Sequence, residues 1–415
     1  MSRFLSGIRQ QPARRHDPIL SLCAIFCLFL VGCGGGGEAT TTSARGQAKA
    51  KQRSAGPRDV GWPIFGRLPE RTHYLAQAPD PPFHMLWQFF AHQLIEFPPA
   101  VNHGVLYVVN KVGQVYAVRA TDGKVLWRKK VDDDVTGPAY AHGTVYLAQL
   151  KGLFAAVEAS SGKVRWTYDP HARLESSPLV IAGRVYFGDD DGVLWALDAR
   201  TGKVEWKVDL GPAIKASPSY HDGVVYVGDY SGGVDAVSAH SGHRQWQVDT
   251  SKLPGGGDAG FYASPSIGFG HVYDANVDGT VYAFSLAGHP DWHFQAGDGV
   301  YGSPALAGVK GAGPTTFIGS YDHRLYALNA QTGARRWSYD VGGQIPGSPT
   351  VIGSTVYTSS FQTRKTTGLD ARSGKPVFHW GSAGYDPMIS DGKRAFLSGF
   401  QTVWAFEAKH PENGH

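Results

Sequence analysis

Ionisable and aromatic residues recur in this sequence at one repeated place, three positions ahead of a proline. Counted back from Pro99, Pro138, Pro178, Pro218, Pro265, Pro304, Pro349 and Pro387, that place holds Glu96, Val135, Glu175, Lys215, Tyr262, Tyr301, Pro346 and Gly384. A repeat serving packing alone needs no such variety. Glu96, Glu175 and Lys215 supply charge, with Glu175 and Lys215 on adjacent units where they can pair. Tyr262 and Tyr301 supply an aromatic wall, and together these side chains are what a pocket for a ligand or peptide uses. The plainer alternative is a solvated rim, whose ion pairs contribute at most about 1 kcal/mol. The residue types leave both open.

Other constellations carry less chemistry. Asp274-Ala275-Asn276-Val277-Asp278-Gly279 has the alternating oxygens that open a calcium loop, but the twelfth position, where a bidentate acid is required, is Ser285. Asp132-Asp133-Asp134 and Asp189-Asp190-Asp191-Gly192 read as turns between strands. Of the 17 histidines, His289 and His293 flank Trp292 in a turn and a strand rather than on one helix face. No Ser-His-Asp set assembles from the pattern. The expectation is no catalytic residue and no metal ligand.

The N-terminus reads as a targeting segment. Arg3, Arg9, Arg14 and Arg15 precede the apolar run PILSLCAIFCLFLVG over 18–32, too short for a comfortable membrane span and charged at its start like a secretory signal. Leu30-Val31-Gly32-Cys33 resembles the bacterial lipobox, which implies lipidation of Cys33 and a signal peptide over 1–32. Two acyl chains hold a protein to a membrane durably; an uncleaved signal anchor is the alternative. Cys23 and Cys27 lie within the leader, so a mature chain beginning at Cys33 has no disulfide of its own. Residues 33–60, rich in Gly, Thr, Ala and Lys, lack the periodicity to bury a face and read as a flexible tether.

The elements that position the candidate residues come from a repeat of about 40 residues. Ser176 to Leu210 is one full unit: SSPLVIAGRVYFGDDDGVLWALDARTGKVEWKVDL. Turn residues cut it into four short strands, with turns at Ala182-Gly183, Asp189 to Gly192 and Arg200 to Gly202. A four-stranded antiparallel sheet repeated at this period is a propeller blade. The expected fold is therefore all-β: a single eight-bladed β-propeller of four-stranded antiparallel blades. Fourth strands carry Trp127, Trp166, Trp206, Trp246, Trp292, Trp337 and Trp380, while the last unit stops before its own. Met85-Leu86-Trp87-Gln88-Phe89 has the look of the missing strand and precedes the first unit. An N-terminal strand is thus expected to close the ring and remove exposed sheet edges.

The repeated A-x-D-x-x-T-G-x-x-x-W, fullest at Ala196, Asp198, Thr201, Gly202 and Trp206, resembles the tryptophan-docking repeat of the pyrroloquinoline-quinone (PQQ) binding-like propellers. The resemblance covers Trp62 to Ala408. It implies that Trp87, Trp127, Trp166, Trp206, Trp246, Trp292, Trp337 and Trp380 dock neighbouring blades, a structural role. Residues 61–84, beginning WPIFGRLPERTHY, look like the segment that leads into such rings. Residues 85–408 form the propeller and 409–415 a tail.

Two branches of that family differ in what they imply. Quinoprotein dehydrogenases hold PQQ with calcium in the central funnel, many with a pair of adjacent half-cystines, and this chain has no Cys after Cys33. The other branch is non-catalytic and includes the lipoprotein of the outer-membrane β-barrel assembly machine. The expectation is a membrane-tethered, extracytoplasmic scaffold, periplasmic or at the cell surface, binding a protein or peptide partner on one face and held to the membrane through Cys33. A PQQ- and calcium-dependent oxidoreductase is the first alternative. A carbohydrate-binding surface module, suggested by the tyrosines, is the second. With 39 basic and 35 acidic residues overall, and near balance once the leader is set aside, no nucleic-acid partner is expected.

Overall fold

The computed structural model describes residues 60–257, 259–382, 384–385 and 387–409. The leader over 1–32, Cys33 and the tether up to residue 59 lie outside the described residues, as does the tail beyond residue 409. Among the described residues, no helix is long and apolar enough to cross a membrane.

Eight antiparallel sheets of four strands follow one another around a ring. Blade 3 shows the pattern, with strands Leu179–Ile181, Arg184–Gly188, Val193–Asp198 and Val204–Asp209 running from the channel outward. The two middle strands read RVYFG and VLWALD and are buried almost throughout, because each face packs against a neighbouring blade. The outermost strand alternates, with Trp206 turned inward and its neighbours toward solvent. A bulge between Ala196 and Leu197 re-aims that strand so that Trp206 sits opposite Ala196.

Ring closure follows from chain order. The last blade takes Met388–Ser390, Ala395–Ser398 and Thr402–Ala408 from the C-terminal end and Phe83–Phe90 from the N-terminal end. Trp87 pairs with Ala405 there, the register that Trp206 and Ala196 have in blade 3.

Adjacent blades are fastened by the tryptophans. Each indole Nε1 donates to a carbonyl of the next blade: Trp127 to Ala159 at 2.9 Å, Trp166 to Ala199 at 3.1 Å, Trp206 to Ala239 at 3.0 Å, Trp246 to Leu286 at 3.0 Å. Trp292 and Trp337 do the same to Ala330 and Ala371. The next blade's Thr-Gly turn lies flat on the ring, and a Cβ at Gly202 would come within 2.5 Å of Trp166. That glycine, at φ +72°, meets a steric demand and a left-handed backbone at once.

Blade 7 differs in register at Trp380. The residue opposite Gly368, in the docking register, is Phe378, because Pro376 and Val377 set the strand two residues ahead of the final tryptophan. Phe378 packs edge-on to Tyr357, as Trp206 packs beside Tyr186. Trp380 instead packs on Trp404 and Phe406 of the last blade. The last blade has no Thr-Gly turn to receive a docking indole, since its two outer strands belong to opposite ends of the chain. Trp380 Nε1 and Tyr357 Oη accordingly have no hydrogen-bond partner among the described residues.

Candidate functional site

Inner strands of a propeller present unpaired amide groups to the channel, and burying them requires partners. The segment leading into the ring supplies these by winding around the inside. Carbonyls of Trp62, Pro63, Pro69, Glu70, Thr72 and His73 accept from the N–H groups of Val101, Tyr140, Tyr220, Ile267, Leu306 and Val351, on blades 1, 2, 4, 5, 6 and 7 in order. Tyr74–Leu75 then adds a short parallel strand to Thr350–Ile352. Arg71, fully buried, donates through Nε to Pro218 O at 2.7 Å and through its terminal nitrogens to Phe65 O and Ser177 O. The channel is thereby filled by the chain itself, so this segment does more than lead into the ring.

Above this filling lies the funnel mouth. Its lining brings together Glu96, Glu175, Lys215, Tyr262, Tyr301 and Pro346 over a floor formed by Phe65. Six of the eight positions ahead of the prolines therefore share one cavity. Val135 does not: it is buried in the core and bridges to Gln149. Its neighbour Asp134 faces a side chamber with Glu96, Lys111, Arg173, Glu175 and Tyr262. Gly384 spends its amide on Ser398, and Tyr385 beside it reaches the cavity.

The charges at the mouth are paired. Glu175 accepts from Lys215 at 3.4 Å and from Arg173 at 2.8 Å, and Lys111 bonds Glu96 at 3.1 Å. Lys215 also lies over the Tyr230 ring at 4.9 Å. Burial raises the Asp134 carboxyl to about 6, with the Glu96 carboxylate adding to it. Tyr262 is raised above the ordinary phenol value by desolvation of its hydroxyl and then by Glu175 and Glu96. Its ring is 39% exposed and meets Tyr301 edge-on, at 65° and 6.2 Å. The other aromatic neighbour of Tyr301 is Tyr321, 4.5 Å away.

Below the rim, a chain of serines runs around the channel. Gly137 N donates to Ser177 Oγ, Ser177 N to Ser217 Oγ, Ser217 N to Ser264 Oγ, Ser264 N to Ser303 Oγ and Ser303 N to Ser348 Oγ, all at 2.9 to 3.0 Å. The signal for it was legible, since each of these serines directly precedes a strand-starting proline. Arg173, Asp134 and Lys111 belong to the site without sharing that repeat position, and no spacing marked them.

Asp274 to Gly279 forms an ordinary hairpin turn. Asn276 Oδ1 and Asp278 Oδ1 both accept from Thr280 N, so these oxygens are spent on the turn's own backbone. Among the described residues, no group of three or more His, Cys, Asp or Glu side chains is placed to hold a metal ion.

A closed ring of eight blades, seven of them docked to the next by a tryptophan, around a filled channel defines the PQQ-like repeat class of β-propeller. Within that class the chain belongs to the family described as outer membrane protein assembly factor BamB, whose model matches residues 84–146, 135–265 and 277–408. Among solved structures it is similar to BamB from Moraxella catarrhalis, at 16% identity and TM-score 0.66, covering 78% of this chain and 99% of that one. It is also similar to the quinohemoprotein alcohol dehydrogenase from Comamonas testosteroni, at 15% identity and TM-score 0.69, covering 86% and 82%. A europium-containing methanol dehydrogenase aligns at 13% identity and TM-score 0.67, covering 84% and 98%. At these identities the likenesses show the fold alone. No curated protein matches the chain.

Proposed function

We propose that this protein is a non-catalytic factor in outer membrane protein assembly, held to a membrane through a lipidated Cys33 and binding a protein partner at the funnel mouth. The observation that carries the reading is the mouth itself: Glu96, Glu175, Lys215, Tyr262 and Tyr301 converge there from separate blades over a floor closed by Phe65. A shallow, mixed-charge, aromatic surface on a rigid ring suits a peptide or loop of a partner.

The lining fits a quinone cofactor poorly. PQQ is a tricarboxylate and needs uncommitted cations, whereas Lys111, Arg173 and Lys215 are already paired with Glu96 and Glu175. A sugar-binding platform needs flat, coplanar faces, and the 65° between Tyr262 and Tyr301 argues against one.

A photo-crosslinking amino acid in place of Tyr262, in cells making the full chain, tests the proposal. The expected result is a crosslink to a component of the outer-membrane assembly apparatus, weakened by Glu175→Lys, together with acylation that Cys33→Ser abolishes. Calcium-dependent binding of PQQ by calorimetry, with dye reduction on added alcohol, would overturn it.

A further inference from the structure

On the face opposite the funnel mouth, blade 6 leaves part of its inner edge without a partner among the described residues. Its inner strand, Ala305–Val309, has five residues where the inner strands of the other blades have three. Leu306 N donates to Thr72 O, so alternate residues along this strand turn their amides toward the channel side. Gly308, two residues further on, faces the same way. Across the ladder it meets Pro314, which has no N–H, and whose carbonyl is taken by Ala330 N. The N–H and C=O of Gly308 therefore point into open space. Gly308 is exposed, and a Cβ added there would meet nothing within 4 Å.

The space is a groove that runs from blade 5 past the inner edge of blade 6 to blade 7. Tyr74–Leu75 follows blade 7 and diverges from blade 6 beyond Thr72, which leaves two lobes that share Tyr74, Ala76 and Gly308. One lobe is apolar, with Leu68 and Phe269 exposed at 37% and 38%. The other ends at Lys310 and Arg372, both exposed and neither in an ion pair among the described residues. Asp80, on the same wall, is occupied with Ser354 N and Thr355 Oγ1, and Asp370 with Ser373.

We propose that this groove is a second binding site, distinct from the funnel mouth, that takes an extended acidic polypeptide segment of a partner by strand addition. The Gly308 backbone supplies the ladder bonds, the Leu68 and Phe269 lobe takes an apolar side chain, and Lys310 and Arg372 take carboxylates.

The test uses the full chain and two benzophenone-labelled hexapeptides, one alternating Val and Glu, the other alternating Val and Lys. The expected result is saturable crosslinking of the Glu peptide to residues 306–312 and 74–80. Lys310→Glu with Arg372→Glu should weaken it at least tenfold and make the Lys peptide the better ligand. Gly308→Pro, which removes the groove-facing N–H and no ladder bond, should also weaken it at least tenfold, while Gly308→Ala should not. If Gly308→Pro fails to fold, the charge reversal alone decides. The proposal is overturned if the two peptides bind alike or crosslink at the funnel mouth. It is also overturned if the reversal changes only binding to anionic lipid vesicles or only self-association seen by sedimentation.

Discussion

The Trp87 indole donates to the Ala120 carbonyl at 3.0 Å, although Trp87 belongs to the last blade and Ala120 to the first. The same bond joins consecutive blades elsewhere, so the junction between the two chain ends is fastened like an ordinary one. The weakly fastened junction is instead between blades 7 and 8, where Phe378 holds the docking register and Trp380 Nε1 has no acceptor among the described residues.

Trp206→Phe and Trp380→Phe should therefore differ. The first removes one of the two hydrogen bonds that the Ala239 carbonyl accepts, the other coming from Tyr186 Oη, at about 1 kcal/mol. The second removes a donor that bonds nothing and should cost less than the first. Chemical denaturation of both variants checks this, and equal losses would refute the distinction between the two junctions.

Replacing Arg71 should loosen the channel filling. Its guanidinium serves carbonyls from Phe65, blade 3 and blade 4, a fork that a single ammonium cannot match. Arg71→Lys is expected to destabilise by about 2 to 4 kcal/mol and Arg71→Met by at least as much. Hydrogen exchange should localise the loss to residues 62–75 and the inner strands of blades 3 and 4, with the outer strands least affected.

Asp134 should titrate near 6, with Glu96 contributing to the elevation. A carboxyl raised in the folded state holds its proton more tightly than in the unfolded chain. Its contribution to stability is therefore present below about pH 4 and is lost as pH rises toward 6. Glu96→Gln should lower the Asp134 midpoint and narrow that window. Carbon-detected NMR of the carboxyls reads the midpoint, and an unmoved value would leave burial as the sole cause.

Asp235 offers a second pH-dependent site. It is fully buried at the position where blade 3 has Trp195, whose indole bonds Asp189. In blade 4 a carboxyl faces Asp229 instead, and burial raises Asp235 to about 7 despite Arg244 Nε at 2.7 Å. Stability should fall by about 2 to 4 kcal/mol as pH rises from 4 to above 7. Asp235→Asn should flatten that slope, giving a higher Tm than the parent at pH 8 and little gain at pH 4. Parallel slopes for the two proteins would exclude Asp235 as the source.

Much of the fold was legible because a propeller writes its architecture locally. The turn glycines, the strand-starting prolines and the Val-Tyr runs repeat at a fixed spacing, and each reports a blade without reference to the others. Ring closure by Phe83–Phe90 was legible for the same reason, since a strand missing at one end of the chain appeared at the other. Trp380 packs on the next blade, but residue type alone does not tell that Phe378 holds the docking register there; only the strand pairing does.

By itself, then, the sequence determined the blade number, the docking bonds and the repeat positions that converge on the mouth, because these rest on spacing within a unit. Tertiary structure alone decided which charges pair there, that residues 62–75 fill the channel, and that the groove-facing edge of Gly308 meets no other backbone among the described residues. Those outcomes depend on distances between residues far apart in the chain, such as the 147 positions between Arg71 and Pro218. A local pattern carries no record of such distances; the closed ring sets them.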